Sequence, residues 1–168
     1  EGMPAVHTHY LVAGKVYSLL PQRLKEKIRP FLVPYFFGAQ GADFCFFQPN
    51  FGEKMPNLGS FLHREGGFSA FEILKHYSLT DEKTLSYALG YLSHYATDST
   101  FHPYVYATAG ESTLRHTRLE HVLDVRFRKQ YGRDVEDEDF LKKLSREEKD
   151  LLHFLYTRIA VKNGLTSP

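Results

Sequence analysis

The chain has 168 residues, of which 42% are hydrophobic and 24% are charged, and its formal net charge is +1. This length predicts a single domain over residues 1–168 with a substantial core, and the composition is ordinary for a soluble globular protein. A net charge near zero gives no electrostatic reason to expect nucleic acid or an acidic surface as a partner. The lone Cys45 excludes an intramolecular disulfide and a CxxC-type zinc site.

The sequence predicts neither a membrane span nor a secretory leader. No apolar run approaches the roughly 20 residues that a spanning helix needs. Glu1 and Gly2 precede Met3, which resembles a native first residue behind an added dipeptide. We therefore expect a cytoplasmic protein without a transmembrane segment.

The first third of the chain predicts two helices and then a long irregular segment. AVHTHYLVAGKVYSLL follows Pro4 as a helix, and PQRLKEKIRP is a short amphipathic helix that ends at Pro30. His7 and His9 stand about 200° apart on such a helix, so only one is expected to face the core. FLVPYFFGAQGADFCFFQPNFGEKMPNLG carries three Pro and four Gly, which predicts a helical piece and then an irregular stretch.

The rest of the chain predicts longer helices. FSAFEILKHYSL is one, and TDEKTLSYALGYLSHYATDSTF is the longest, capped by Thr80 or Asp81. ESTLRHTRLEHVLDVRFRKQYG ends at Gly132, and the acidic run DVEDED that follows is typical of a solvated linker. SREEKDLLHFLYTRIAVKNG begins with a capping box at Ser145 and ends at Gly164. Without convincing strand pairs, the prediction is an all-α, multi-helix bundle.

The stretch HYATDSTFHPY places His94, Asp98 and His102 four residues apart, which puts them on one face of a helix. Chance alone predicts about one His-x-x-x-acid pair among nine histidines, so helix-surface hydrogen bonds are the alternative interpretation. The preceding YALGYLS should be buried, however, and buried ionisable groups need partners. Zinc is the ion that imidazoles and a carboxylate suit best.

Several metal and hydrolase classes are excluded by missing motifs. HExxH is absent, which excludes an ordinary zincin, and Glu-x-x-His is absent, which excludes the ferritin-like di-iron pattern. There is no His-Asp dipeptide, no Walker A loop and no GxSxG motif. The remaining histidines His76, His121 and His153 lie in ordinary amphipathic helices and are interpreted as structural.

Five segments in order, namely THY, GAQGADF, SFLHRE, GYLSHYATDSTFHPY and HTRLEHVLD, resemble the bacterial zinc-dependent phospholipase C family over roughly residues 3–130. The resemblance is closer to an uncharacterised, shorter branch of that family. It implies an all-α bundle, related in fold to P1-type nucleases, whose pocket holds two or three zinc ions. It also implies hydrolysis of a phospholipid or another phosphoester. Relatives of this kind often run longer, so a C-terminally truncated chain is one interpretation of the length.

The resemblance implies a set of zinc ligands drawn from the whole motif region. Asp43 would also act as general base, Asp98 would bridge two ions, and Phe44 would face a choline group through a cation–π contact. Asp124, one turn beyond the last ligand, is a candidate acceptor for orienting the ligands. The implied ligands are His9, Asp43, His63, His94, Asp98, His102, His116 and Glu120.

Three departures from the family pattern leave the substrate open. The chain has no Trp, whereas secreted members use an N-terminal Trp as a zinc ligand, and His7 is a candidate replacement. Asp98 and His102 are closer together than in the family motif, and the acid that helps to hold choline has no counterpart. The leading hypothesis is a zinc-dependent phosphodiester hydrolase of the phospholipase C type. The alternatives are a non-catalytic metal-binding helical domain and a P1-type nuclease-like phosphodiesterase.

Overall fold

The computed structural model describes residues 6–47, 58–64, 66–131 and 143–165. Within these ranges the chain is helical and contains no β-strand, so the prediction of an all-α, multi-helix bundle is confirmed. Two short 3₁₀ segments lie at Arg29–Phe31 and Asp43–Phe47. The α-helices are α1 (Val6–Leu19), α2 (Gln22–Ile28), α3 (Leu32–Gly38), α4 (Leu58–Arg64), α5 (Gly67–Ser78), α6 (Glu82–Ala109), α7 (Thr113–Tyr131) and α8 (Arg146–Lys162).

Helix α6 is the centre of the bundle, with α1, α3, α5 and α7 packed around it. Its N-cap is Asp81, whose carboxylate accepts a hydrogen bond from the Thr84 backbone N–H at 2.8 Å. This cap satisfies one of the amide donors that a helix start leaves unpaired. Because α6 runs for 28 residues through the core, it contacts at least five other α-helices of the described chain.

Two glycines let α3 cross α6 at close range. A Cβ at Gly90 would lie 1.9 Å from the Tyr35 carbonyl oxygen, and one at Gly38 would lie 2.3 Å from the Tyr87 carbonyl oxygen. Any larger residue at either position would force the two backbones apart. The close approach brings the turn that follows α3 against the middle of α6.

Two elements differ from the sequence prediction. Helix α6 passes through Pro103 and ends at Ala109, whereas the sequence predicts an end near Phe101. Buried Val105 and Ala109 hold these last turns in the fold despite the hydrogen bond that Pro103 removes. Helix α4 begins in the last two residues of the stretch predicted as irregular and continues where no helix was predicted, because Leu58 and Leu62, one turn apart, are both buried. Such a short helix depends on tertiary packing, which a local pattern does not report.

The last helix follows its prediction closely. Ser145 and Glu148 form the capping box, with the Glu148 N–H donating to Ser145 Oγ at 3.1 Å and the Ser145 N–H donating to Glu148 Oε2 at 2.8 Å. Gly164 follows the helix end with φ of +68°, a conformation that glycine adopts without cost. The expected end of α7 at Gly132 and the acidic run DVEDED lie outside the described residues. No described helix has the length and apolar character to cross a bilayer.

Candidate metal centre

Helix α6 supplies at least one side chain to each of three clusters of potential metal ligands. His94, Asp98 and His102 share one face of α6, as their spacing predicts, and α1, α7, α4 and the turn after α3 bring the other ligands to that face. Within each cluster the donor atoms lie within 4.8 Å of one another. The clusters are His9 with His94 and Asp98, Asp43 with His63 and His94, and His102 with His116 and Glu120. Every ligand predicted from the sequence falls into one of them.

The first cluster is built around Asp98. His9 Nε2 lies 3.2 Å from Asp98 Oδ1, and His94 Nε2 lies 3.2 Å from Asp98 Oδ2. The two imidazole rings stack with their centroids 4.2 Å apart. Burial opposes ionisation of Asp98, but the hydrogen bonds and charges of the two histidines outweigh it and hold the pKa of Asp98 far below its usual range. Asp98 therefore stays ionised and offers both oxygens.

The second cluster depends on the turn that the GAQGADF segment makes. Gly41 has φ of +63°, and a Cβ there would lie 2.3 Å from the ring of His94. Only glycine combines that backbone conformation with so close a contact. The turn delivers Asp43, whose Oδ1 lies 3.0 Å from His63 Nε2 and 3.9 Å from His94 Nε2.

Backbone carbonyls set the orientation of two imidazoles in this cluster. His63 Nδ1–H donates to the Gly59 carbonyl at 2.8 Å, and His94 Nδ1–H donates to the Ala39 carbonyl at 3.1 Å. Since a carbonyl can only accept, each neutral ring carries its free lone pair on Nε2, which faces carboxylate oxygens. Lone pairs that face carboxylates require a cation or a proton between them. This donor set, with its orienting carbonyls, fits zinc.

The third cluster joins α6 to α7 through Glu120. His116 Nε2 lies 2.8 Å and His102 Nε2 lies 3.4 Å from Glu120 Oε1. Glu120 is 7% exposed, and its second oxygen, Oε2, is buried without a hydrogen-bond partner among the described residues. A buried carboxylate oxygen without a donor is costly, and a metal ion would remove that cost. The third cluster therefore also fits a cation.

The three clusters form one continuous centre, because two of them have a residue in common and the third lies next to them. His94 belongs to two of them, and Asp98 Oδ1 lies 4.0 Å from His102 Nε2 of the third. His9 and His94 are buried, whereas the side chains of His63 and His102 are 29% and 34% exposed. The centre therefore opens to solvent on the side of His63 and His102.

Carboxylates raise the pKa of three histidines in the centre. For His63 and His94 burial disfavours the charged ring, but the hydrogen bonds to Asp43 and to Asp98 respectively outweigh it, so the pKa of each lies above its ordinary value. The hydrogen bond to Glu120 raises the pKa of His102 despite its partial burial. Without metal these rings hold protons more tightly than free histidine does.

The start of α1 is more buried than the sequence indicates. His7 and His9 are 9% and 4% exposed, so the expectation that one of them is exposed is wrong. Helix α1 packs against both α6 and α7, and these two neighbours cover more of its first turns than one face. Asp124 fixes this arrangement by accepting hydrogen bonds from Thr8 N–H at 2.7 Å and from Thr8 Oγ1 at 2.8 Å. It thereby orients the residue next to His9.

Two aromatic residues near the centre have different surroundings. Phe44 is partly buried, and its ring packs against those of Phe37 at 5.2 Å and Tyr156 at 5.0 Å, so its contact with a choline group stays a prediction.

The sequence interpretation missed Tyr106, whose exposed ring lies 5.8 Å from that of His102 and 4.9 Å from that of His116. Tyr106 lies four residues after His102 and so continues the spacing of His94, Asp98 and His102. That spacing could have predicted its position near the centre.

Comparison with known proteins agrees with this geometry. A family model described as "Zinc dependent phospholipase C" matches residues 7–163, which include all the candidate ligands of the three clusters. No curated protein and no solved structure matches the chain.

Proposed function

Because the chain belongs to the zinc-dependent phospholipase C family, we propose that it is a zinc-dependent phosphodiester hydrolase whose substrate class is phospholipids. The observation that supports this best is the fusion of three donor clusters along one face of α6. Adjacent metal sites are typical of enzymes that cleave phosphate esters, because two or more ions can hold both the attacking and the leaving oxygen. A single structural zinc would need only one closed cluster.

We propose that the residues of the three clusters are the ligands of two or three zinc ions. Asp98, with one oxygen towards His9 and the other towards His94, is suited to bridge two ions. Zinc bound there would supply a Lewis acid that neutralises the charge of a phosphodiester. Asp98 remains ionised and therefore contributes negative charge to the ligand set.

Asp43 is the proposed general base. Its carboxylate is partly exposed and lies beside the solvent-facing His63, so water can reach it. The Gly59 carbonyl holds the His63 ring in place, and that ring in turn positions Asp43 Oδ1 at 3.0 Å. Asp43 would accept a proton from the attacking water, and the proton acceptor is what distinguishes this residue from a purely coordinating one.

A non-catalytic metal-binding domain is the second candidate function. It is favoured by the absence of tryptophan, since secreted proteins that the sequence resembles complete one zinc shell with an N-terminal Trp. Buried His7 lies in the first turn of α1 and is the proposed substitute. Turnover, rather than metal content, separates the two functions.

The discriminating experiment compares wild type with Asp43→Asn at saturating zinc. We expect hydrolysis of a phosphocholine diester and of an aryl phosphodiester to fall by about 10² or more, as is typical when a general base is lost. Zinc content should fall only in part, because the amide keeps one coordinating oxygen.

His153→Ala is the matched control, since His153 is exposed on α8 and outside all three clusters. Wild-type rates in Asp43→Asn would remove Asp43 from the mechanism. A zinc-loaded wild type that hydrolyses no diester would favour the metal-binding domain, and cleavage of single-stranded DNA alone would favour the nuclease-like alternative.

A further inference from the structure

Charge is strongly segregated around helix α7. The helix carries five cationic residues and two acidic ones, Glu120 and Asp124. Both acids are buried, one in the metal centre and the other against Thr8. Both acidic side chains therefore face the interior, and the charged residues on the outward side of α7 are all cationic.

The outward side of α7 also carries aliphatic residues. Leu114 is 85% exposed and Val122 is 53% exposed, and Val125 is exposed on the same arc. At 100° per residue, these positions and the neighbouring cations cover about 120° of the helix surface. We define the α7 outer face as Leu114, Arg115, Arg118, Val122, Val125, Arg126 and Lys129, all of them exposed.

Each cation of this face is exposed. Arg115, Arg118, Arg126 and Lys129 form no ion pair with any residue in the described ranges. The net charge of +1 conceals this local excess, because the acidic run DVEDED balances it in the total. The sequence-based expectation that no acidic surface binds the protein thus applies to the average charge and not to α7.

We propose that the α7 outer face binds the surface of an anionic phospholipid bilayer. Arginine and lysine are attracted to anionic headgroups, and short aliphatic side chains between them can enter the boundary between headgroups and acyl chains. A single-stranded nucleic acid would fit less well, because such sites stack bases on aromatic rings and this face has none.

The α7 outer face lies close to the metal centre, with the helix between them. His116 and Glu120 lie on the opposite side of the same helix, and a helix with its side chains is about 10–12 Å across. Docking through the outer face therefore holds the centre about one helix diameter from the headgroups. The inference goes beyond the proposed hydrolysis, since binding to a bilayer can be measured without turnover.

The test is co-sedimentation of zinc-loaded protein with unilamellar vesicles of phosphatidylcholine and phosphatidylserine, mixed at about 3:1, compared with pure phosphatidylcholine. We expect binding to the mixed vesicles only, and weaker binding at high salt because exposed charges are screened. The variant Arg118→Gln/Arg126→Gln/Lys129→Gln should bind at least about tenfold more weakly, because each of the three cations strengthens attraction to the anionic surface. Arg115 is left intact because it neighbours the ligand His116.

The matched control is Arg23→Gln/Lys27→Gln/Arg146→Gln, which removes the same charge from exposed positions on α2 and α8. Equal losses in the two triple variants would overturn the proposal, because net charge alone would then explain the binding. Failure of wild type to bind the mixed vesicles would also overturn it. If the α7 variant lost binding to a single-stranded oligonucleotide but bound vesicles as wild type does, the proposal would likewise be overturned.

A second variant tests the aliphatic part of the face. Val122→Gln/Val125→Gln keeps every charge, and we expect it to lose the fraction of vesicle binding that survives high salt. Hydrolysis of a water-soluble aryl phosphodiester is measured in parallel. Vesicle binding without hydrolysis would refute the proposed activity and leave the docking surface standing, whereas hydrolysis without vesicle binding would do the reverse.

Discussion

At the scale of single residues, Asp98 connects the parts of the metal centre. Its two oxygens face His9 and His94 at 3.2 Å each, and Oδ1 also lies 4.0 Å from His102. The four-residue spacing predicted that His94, Asp98 and His102 share a face, because helix geometry is local. Spacing could not predict that Asp43 lies 3.0 Å from His63, since a turn and a separate helix create that contact. The proposal that Asp43 and His63 are ligands came only from the family resemblance.

We expect His94→Ala and Asp98→Ala each to lose most bound zinc. His94 is shared by two clusters, and Asp98 faces imidazoles of two, so either change disrupts more than one cluster. Metal content of the purified variants, measured by inductively coupled plasma mass spectrometry, checks this. His153→Ala, on α8, should keep wild-type zinc, and equal zinc in all three variants would refute the ligand assignment.

Zinc affinity should fall steeply as the pH drops from about 8 to 6. His63, His94 and His102 have raised pKa values in the metal-free protein, and each must be neutral to bind zinc. Protons therefore begin to compete above the ordinary histidine pKa of about 6.5, and each competing ring adds about a factor of ten per pH unit below its pKa. Competition titration with a fluorescent zinc chelator measures the effect. Constant affinity over that range would show that these rings do not bind the ion.

At the scale of helices, the crossing of α3 and α6 was the feature hardest to foresee. The sequence predicted a helical piece for α3 and a long helix for α6. It offered Thr80 or Asp81 as the cap of α6 and Ser145 as the cap of α8, because capping depends on neighbours in the chain. From the sequence alone, Gly90 is simply a glycine that weakens a helix. The structure shows why it is there, since a Cβ at this position would lie 1.9 Å from the Tyr35 carbonyl oxygen. The continuation of α6 past Pro103 has the same origin, since burial of Val105 overrides a local helix-breaking signal.

The variant Gly90→Ala should destabilise the protein by about 1–3 kcal/mol or more, because the added methyl group meets backbone that cannot move independently. Urea denaturation of the zinc-loaded protein measures the change. Gly14→Ala in α1 is the matched control, since no atom of another described element lies within 4 Å of the new methyl group. It should be neutral or stabilise by about 0.5–1 kcal/mol. A wild-type midpoint for Gly90→Ala would mean that the two helices do not cross so closely.

At the scale of the molecule, the metal centre joins elements that are otherwise separate. Its candidate ligands come from α1, the turn after α3, α4, α6 and α7, so zinc bound there would tie together most of the described bundle. The all-α fold was predictable because helical periodicity covers the chain. The assembly of the helices around α6 was not, since it depends on contacts between residues far apart in sequence.

Removal of zinc should therefore lower the melting temperature of the whole protein. Metal at about 100 times its Kd stabilises the native state by about 2.7 kcal/mol, which for a chain of this size corresponds to roughly 5–11 °C. Differential scanning calorimetry with and without chelator measures the shift. His153→Ala should show the same shift as wild type, and an unchanged melting temperature would mean that the ligands do not hold the fold together.

The position of α6 within the chain has a consequence for biosynthesis. Each donor cluster includes a residue from His94 onward, so none is complete before the ribosome has synthesised His94. On the order of ten seconds of translation separate His9 from His94 at ordinary rates. During that time the nascent helices must avoid aggregation without help from the ion. A complete donor cluster can therefore contribute to folding only after the chain has been synthesised as far as α6.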